Sequence, residues 1–241
     1  MIIIDAKDME YTALNETVRG YEGEFRIKNC LGQRFIGAGL PESRKLSIEG
    51  IPGNALGAYL DGATLEVHGN AQDAVGDTMN AGTIIIHGNV GDTAGYAMRG
   101  GQIYVRGNAG YRSGIHMKAY REKLPVLVIG GHAGSFLGEY QAGGYIIVLG
   151  LSDDGKPIVS NFPSTGMHGG KLFLRSACEG IRFPDQVTAR PATAADLEEI
   201  MPYLARFAGY FGMPVDMLAG APFTVVTPNS ANPYRQMYVA Y

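Results

Sequence analysis

Glycine-rich phrases of the kind that cradle phosphates are the first feature of this sequence that could carry chemistry. Residues 69–91 read GNAQDAVGDTMNAGTIIIHGNVG, and residues 88–110 read GNVGDTAGYAMRGGQIYVRGNAG. A dinucleotide fingerprint occurs once, between a strand and a helix, and a P-loop ends in GKS or GKT. Here the glycines return every 19 residues, no helical pattern follows them, and neither tripeptide occurs. The phrases therefore predict no nucleotide site.

Two histidines at the same position of neighbouring phrases could together bind a metal ion. The series at this position reads Glu49, His68, His87, Arg106. Zinc sites use at least three protein ligands, and this series offers no evident third. We therefore predict a solvent-facing ladder here and no metal site. Because there is also no GxSxG, HExxH or CxxC motif, the sequence predicts no catalytic and no cofactor-binding residue in this chain.

An insertion, GIHMKAYREKLP, interrupts the repeat and holds its densest group of titratable side chains. Insertions in repeat proteins often lie on the binding surface, although a solvated loop is an equally good interpretation. The predicted partner contacts in it are His116, Lys118, Tyr120, Arg121 and Lys123. The aromatic tail around 234–241 is a second predicted contact.

Composition limits the classes of partner. The 241 residues carry a formal net charge of -3, so no basic field favours nucleic acid or a membrane surface. The start, MIIIDAKDMEY, lacks the basic segment of a signal peptide, and no apolar run reaches the length of a membrane span. We expect a cytoplasmic protein, and homo-oligomerisation stays open.

The interval between the phrases indicates a solenoid. Strand-like segments begin at Leu46, Leu65, Ile84 and Ile103, and later ones at Val126, Ile146 and Leu172. Because side chains of a strand alternate between its faces, each segment places two apolar side chains on one face, such as Ile84 and Ile86. In the unit after the insertion, the predicted inward pair is Val126 and Val128. Stacked copies bury these pairs, which predicts an all-β solenoid, a right-handed single-stranded β-helix of about six or seven coils.

Glycines recur in phase with the strands and are predicted to form the corners. They are Gly50, Gly57, Gly69, Gly76, Gly82, Gly88, Gly95, Gly101, Gly107, Gly114, Gly130, Gly138 and Gly144. Asn70, Asn89 and Asn108 follow corner glycines and are predicted to stack as turn residues that tolerate left-handed backbone. A further series is predicted to line the interior: Leu60, Met79, Met98 and Met117.

The open ends of a solenoid need caps. Residues 1–24 are predicted to form the first, with a strand at 2–4 and a helix from an Asp8 N-cap through Arg19, followed by Gly20. Residues 25–176 form the β-helix, and 177–241 a C-terminal helix and tail. That helix is predicted to begin at a Thr193 N-cap, to kink at Pro202 and to end before Gly212.

One outward-facing series turns from polar to apolar along the stack. It reads Ser47, Glu66, Ile85, Tyr104, Leu127, Ile147, Phe173. A face that met water throughout would stay polar, so something must cover its apolar end. We predict that the cover is the C-terminal helix, with Tyr203, Phe207 and Phe211, rather than another subunit.

The repeat units resemble the GXGXG domain family. That family includes the C-terminal β-helix domain of the glutamate synthase large subunit and subunits of formylmethanofuran dehydrogenase and formyltransferase/hydrolase complexes. The stretch YRSGIHMKAYREKLPVLVIGGHAGSFLGEYQAGGYIIVLGL looks most like the stand-alone glutamate synthase version. The amidotransferase and flavin domains of the full-length enzyme are absent from this sequence.

The resemblance implies a non-catalytic structural subunit of a glutamate synthase-type complex. Its partners would be the glutamine amidotransferase and flavin synthase subunits, which would carry the FMN and iron–sulfur clusters. Two alternatives are a structural subunit of a formylmethanofuran dehydrogenase or formyltransferase/hydrolase-type complex, and a free-standing assembly scaffold.

Overall fold

The structure, a computed structural model, describes residues 1–152 and 154–230 and contains one eleven-stranded sheet with three helices. Strands β1 to β9 pair in parallel in chain order, as expected for a β-helix, and β11 and β10 then pair antiparallel after β9. The strands are Ile2–Asp5 (β1), Gly23–Leu31 (β2), Arg44–Ile51 (β3), Asp61–Val67 (β4), Ala81–Ile86 (β5), Gln102–Val105 (β6), Val126–Ile129 (β7), Ala142–Val148 (β8), Gly169–Leu174 (β9), Val187–Pro191 (β10) and Thr224–Pro228 (β11). The helices are Tyr11–Gly20 (α1), Ala194–Phe211 (α2) and Val215–Ala219 (α3). The predicted all-β solenoid is confirmed.

The register follows the 19-residue repeat through the first coils. Leu46 pairs with Leu65, Leu65 with Ile84, and Ile84 with Ile103, so each inward side chain packs on its copies in the adjacent coils. The interior series of Leu60 and the three methionines is fully buried, as predicted.

The predicted register of β7 is wrong by one residue. Ile103 pairs with Leu127, so Leu127 and Ile129 enter the interior, and Val126 and Val128 face outward. All four residues of β7 are apolar and buried, because both of its faces are covered. Alternation therefore offered no polar residue that could mark the outer face.

The asparagines stack in a ladder, but for a different reason from the one predicted. Each side chain accepts a hydrogen bond from a backbone N–H of the next coil: Asn70 Oδ1 from Asn89 at 2.8 Å, and Asn89 Oδ1 from Asn108 at 2.7 Å. The left-handed backbone is found instead at other residues, such as Ala74, Thr93 and Arg112. A second ladder joins Asp73 to Asp92 at 2.9 Å. These bonds connect adjacent coils outside the named strands, beside isolated bridges such as Ala71 with Val90.

We expect Asn89→Ala to lower the free energy of unfolding by about 1 kcal/mol, because the Asn108 N–H loses its acceptor. Asn89→Asp keeps a side-chain oxygen at this position and is expected to stay closer to the parent. Urea unfolding followed by circular dichroism measures both. Equal stability of the parent and the alanine variant would contradict this role for the ladder.

The N-terminal cap has the predicted elements but different bounds. Strand β1 pairs with β2 and closes the first coil. Helix α1 begins after Glu10, not after Asp8, whose φ of 59° belongs to the turn that follows β1. Gly20 is the last helical residue and not the residue beyond the helix. The turn is held by the Met9 N–H, which donates to the Ala6 carbonyl at 3.1 Å and delays the helix start.

Helix α2 covers the apolar outer face, as predicted. Thr193 caps the helix in a reciprocal pair with Asp196, and Gly212 ends it in left-handed backbone. Its residues Ile200, Leu204 and Phe207 are buried in one cluster with the outward side chains of the late strands, which are Tyr104, Val126, Val128, Ile147 and Phe173. Pro202 lies inside the helix. The predicted contacts at 234–241 lie outside the described residues.

Candidate subunit interface

The five predicted contact residues of the insertion are all exposed. Residues 120–123 form a tight turn in which the backbone groups of Tyr120 and Lys123 bond to each other at 3.0 and 3.2 Å. The Arg121 guanidinium lies 5.1 Å from the centre of the Tyr120 ring. Lys123 Nζ reaches across the stack to within 3.8 Å of Asp61. The turn is therefore anchored to the solenoid through Lys123.

His116 belongs to a different feature, an aromatic stack on the corners of the coils. Its ring stacks on Tyr140 with centroids 5.3 Å apart, and the Tyr96 ring meets it edge-on at 6.0 Å. The backbone of His116 and Tyr140 is left-handed, with φ of 55° and 52°. This conformation turns the chain at the same position of successive coils and lets the side chains stack.

A second stack lies four residues earlier in the same coils. Phe136 stacks on Phe162 at 5.2 Å, and the Arg112 guanidinium lies 4.8 Å from the Phe136 ring. Arg112 also pairs with Glu139 at 3.0 Å, which ties this stack to the corner that carries Tyr140. We call the two stacks together the aromatic edge, comprising Tyr96, Arg112, His116, Phe136, Tyr140 and Phe162.

The aromatic edge is accessible to solvent. Phe162 is 62% exposed and Tyr96 is 38% exposed, and a groove bounded by Phe162, Ile181 and Arg182 continues the surface. Exposed aromatic side chains and arginine are the residue types enriched at protein–protein interfaces. Stacking also orders these rings before binding, which reduces the entropic cost of association. The edge therefore combines the residue types and the ordered side chains that are typical of protein-binding surfaces.

Groups with large pKa shifts lie elsewhere among the described residues. Burial, with the nearby Glu199 carboxylate, raises the pKa of Tyr145 to about 12. Glu199 is itself bound by Lys171 at 2.5 Å, so the cluster ties α2 to the sheet. Burial also raises the pKa of Cys30 to about 11, and this thiol therefore stays protonated near neutral pH.

Most of the aromatic edge was not predicted from the sequence. Of its six residues, only His116 was among the predicted contacts. The signal was nevertheless present: His116 and Tyr140 each stand two residues after a corner glycine, and Arg112 and Phe136 two residues before it. Aligning the coils on Gly114 and Gly138 would have placed these pairs in adjacent coils.

Comparison with known proteins identifies the family. The GXGXG motif model matches residues 10–219, most of the chain. This chain belongs to the GXGXG motif family. The predicted family is therefore confirmed. The glycines that define the repeat lie at the coil corners and between closely stacked coils, where Gly76 and Gly101 have φ of 69° and 79°.

Two similar proteins extend the family assignment. An uncharacterized protein of Methanocaldococcus jannaschii is 44% identical over 251 residues, covering 98% of this GXGXG chain and 96% of the relative. A chain in the crystal structure of the formyltransferase/hydrolase complex (FhcABCD) from Methylorubrum extorquens, determined with methylofuran, has a TM-score of 0.61 and 21% identity. The match covers 92% of this chain and 89% of that one, and it shows a shared fold. Within the described residues, no helix has both the length and the apolar character to span a bilayer.

Proposed function

We propose that this GXGXG protein is a structural subunit of a multi-subunit complex and docks on a partner through the aromatic edge. The observation that carries the proposal is the pair of partly exposed stacks that form the aromatic edge, on a solenoid whose apolar outer face is already covered by α2. Ordered aromatic side chains that remain accessible can serve as anchors for a partner. The chain would contribute shape and contacts, and the catalytic groups would lie on its partners.

A complex of the formyltransferase/hydrolase type is the favoured setting. Its support is the solved complex from Methylorubrum extorquens, in which a chain of the same fold matches nearly the full length of this one. The partners would then be subunits that transfer or hydrolyse a formyl group. A formylmethanofuran dehydrogenase-type complex would use the same architecture.

A glutamate synthase-type complex is the second candidate. It is favoured by the stretch from Tyr111 to Leu151, which looks most like the stand-alone glutamate synthase version. In that case the partners would be amidotransferase and flavin subunits, with FMN and iron–sulfur clusters on the latter. The two candidates make the same prediction for the aromatic edge and differ in the partner.

Purification of the untagged complex from its source, followed by mass spectrometry of the co-eluting chains, tests the proposal. Co-elution of formyl-transferring or formyl-hydrolysing subunits would support the favoured setting. Co-elution of amidotransferase and flavin subunits would support the second. A chain that elutes alone at the mass of a monomer would overturn both and support a free-standing scaffold.

Phe162→Ser tests the docking surface. We expect it to weaken binding to the purified partner by at least about tenfold, because an exposed aromatic anchor is lost, while the melting temperature changes little. Tyr59→Ser is the matched control: Tyr59 is 59% exposed at the same coil position as His116 but lies in an early coil, outside the edge. Equal affinity of the two variants would contradict docking through the aromatic edge.

A further inference from the structure

Three side chains on the outer face of the early coils converge on one point. His68 and His87 directly follow β4 and β5, and their rings stack with centroids 5.2 Å apart. Glu66 lies in the neighbouring outward series, and its Oε1 is 2.8 Å from His87 Nε2. One potential ligand atom from each of the three residues lies within 4.8 Å of the other two. Glu66, from the neighbouring outward series, therefore offers the third potential ligand that the series with His68 and His87 lacks.

These ligand types suit a divalent transition metal. Imidazole nitrogen and carboxylate oxygen bind Zn²⁺ at about 2.0–2.2 Å, which places the ligands of a bound ion roughly 3.3 Å apart. The side chains would need to move together by about 1.5 Å at most. His68 is exposed, and Glu66 and His87 are partly exposed, so their solvent-facing sides leave room for this adjustment.

The surroundings limit the site to one ion. Ser47 Oγ lies 2.9 Å from His68 Nε2 and can orient that imidazole. The Phe211 ring packs edge-on against His87 at 5.3 Å and shields one side. Glu49, the acidic residue before His68 in the series, is bound by Arg26 at 2.6 Å. Arg106, a cation, follows His87 in the series and disfavours a second ion further along it.

We infer that Glu66, His68 and His87 form a binding site for one divalent transition metal ion, for which Zn²⁺ is the best match. Two nitrogens and one oxygen come from the protein, and water fills the remaining position, which faces solvent. The site is separate from the aromatic edge, so it does not depend on the proposed function.

Titration of the full-length, chelator-treated protein with Zn²⁺ in a calorimeter tests the inference. We expect one equivalent of Zn²⁺ to bind with a Kd in the micromolar range or tighter. When Co²⁺ replaces Zn²⁺, we expect the strong visible absorption bands of a tetrahedral or five-coordinate Co²⁺ ion. His87→Gln and His68→Gln are each expected to lower the affinity by at least about tenfold. His168→Gln is the matched control, because His168 bonds the Gly166 carbonyl at 3.0 Å and lies outside the cluster.

Thermal unfolding provides a second measurement. Saturating Zn²⁺ is expected to raise the melting temperature of the parent and the control but not of the His87 variant. An ion stabilises the folded state only if it binds there, and the variant lacks an intact site. Glu66→Gln keeps the side-chain shape but removes the charge, and it is expected to show the same loss. Absence of saturable binding by the parent, or equal affinities of the parent and the three cluster variants, would overturn the inference.

Discussion

Gly82→Ala is expected to destabilise the β-helix by more than about 3 kcal/mol, through strain and overpacking together. Gly82 has a φ of 99°, a conformation that side-chain-bearing residues rarely adopt. An added Cβ would lie 2.8 Å from the backbone carbon of Gly62 and 3.0 Å from the backbone nitrogen of Ala63, both in the coil before it. Because these neighbours are backbone atoms of a paired coil, they cannot rotate away.

Gly95→Ala is the control for that variant. Gly95 also has positive φ, at 72°, but the nearest atom to an added Cβ is Leu127 Cδ2 at 3.6 Å, an ordinary contact. An added Cβ at Gly95 therefore causes no overpacking. We expect a loss of only about 1–2 kcal/mol, from the backbone strain. Urea unfolding of both variants separates the two effects, and equal losses would contradict the close stacking of coils at Gly82.

Phe207→Ala is expected to cost about 3–5 kcal/mol of unfolding free energy. Phe207 is fully buried in the cluster that joins α2 to the outward side chains of the late strands, and its ring also packs on Phe211 at 4.6 Å. Its removal leaves a cavity in this cluster and loosens the cover of an apolar face. We therefore also expect the variant to associate on heating.

Met201→Ala is the matched control, since Met201 lies in the same helix and is 38% exposed. It should unfold within about 0.5 kcal/mol of the parent. Ending the chain after Arg190 removes α2, α3 and β11 together and should yield an insoluble or self-associating protein. A soluble monomer of unchanged stability after truncation would show that α2 is not the cover.

The repeat and the glycine positions were predictable because the interactions that define them are periodic. Equivalent residues of a solenoid stack on one another, so the inward pairs such as Ile84 and Ile86 and the methionine series could be assigned from spacing alone. The N-cap of α2 could also be predicted, because its two partners, Thr193 and Asp196, are only three residues apart in the sequence. The start of α1 was not predicted, because the turn at Asp8, closed by the Met9–Ala6 hydrogen bond just after β1, delays it.

By itself, the sequence determined that this protein is a glycine-cornered β-helix with an apolar outer face that must be covered, because strand alternation and a fixed repeat leave few other ways to bury these side chains. Only the tertiary structure decided the register of β7, the continuity of the aromatic edge and the approach of Glu66 to His87. Each of these depends on contacts between different series of side chains or across an insertion. A repeat specifies which residues stack one coil apart, but the direction in which a side chain leans depends on the packing around it.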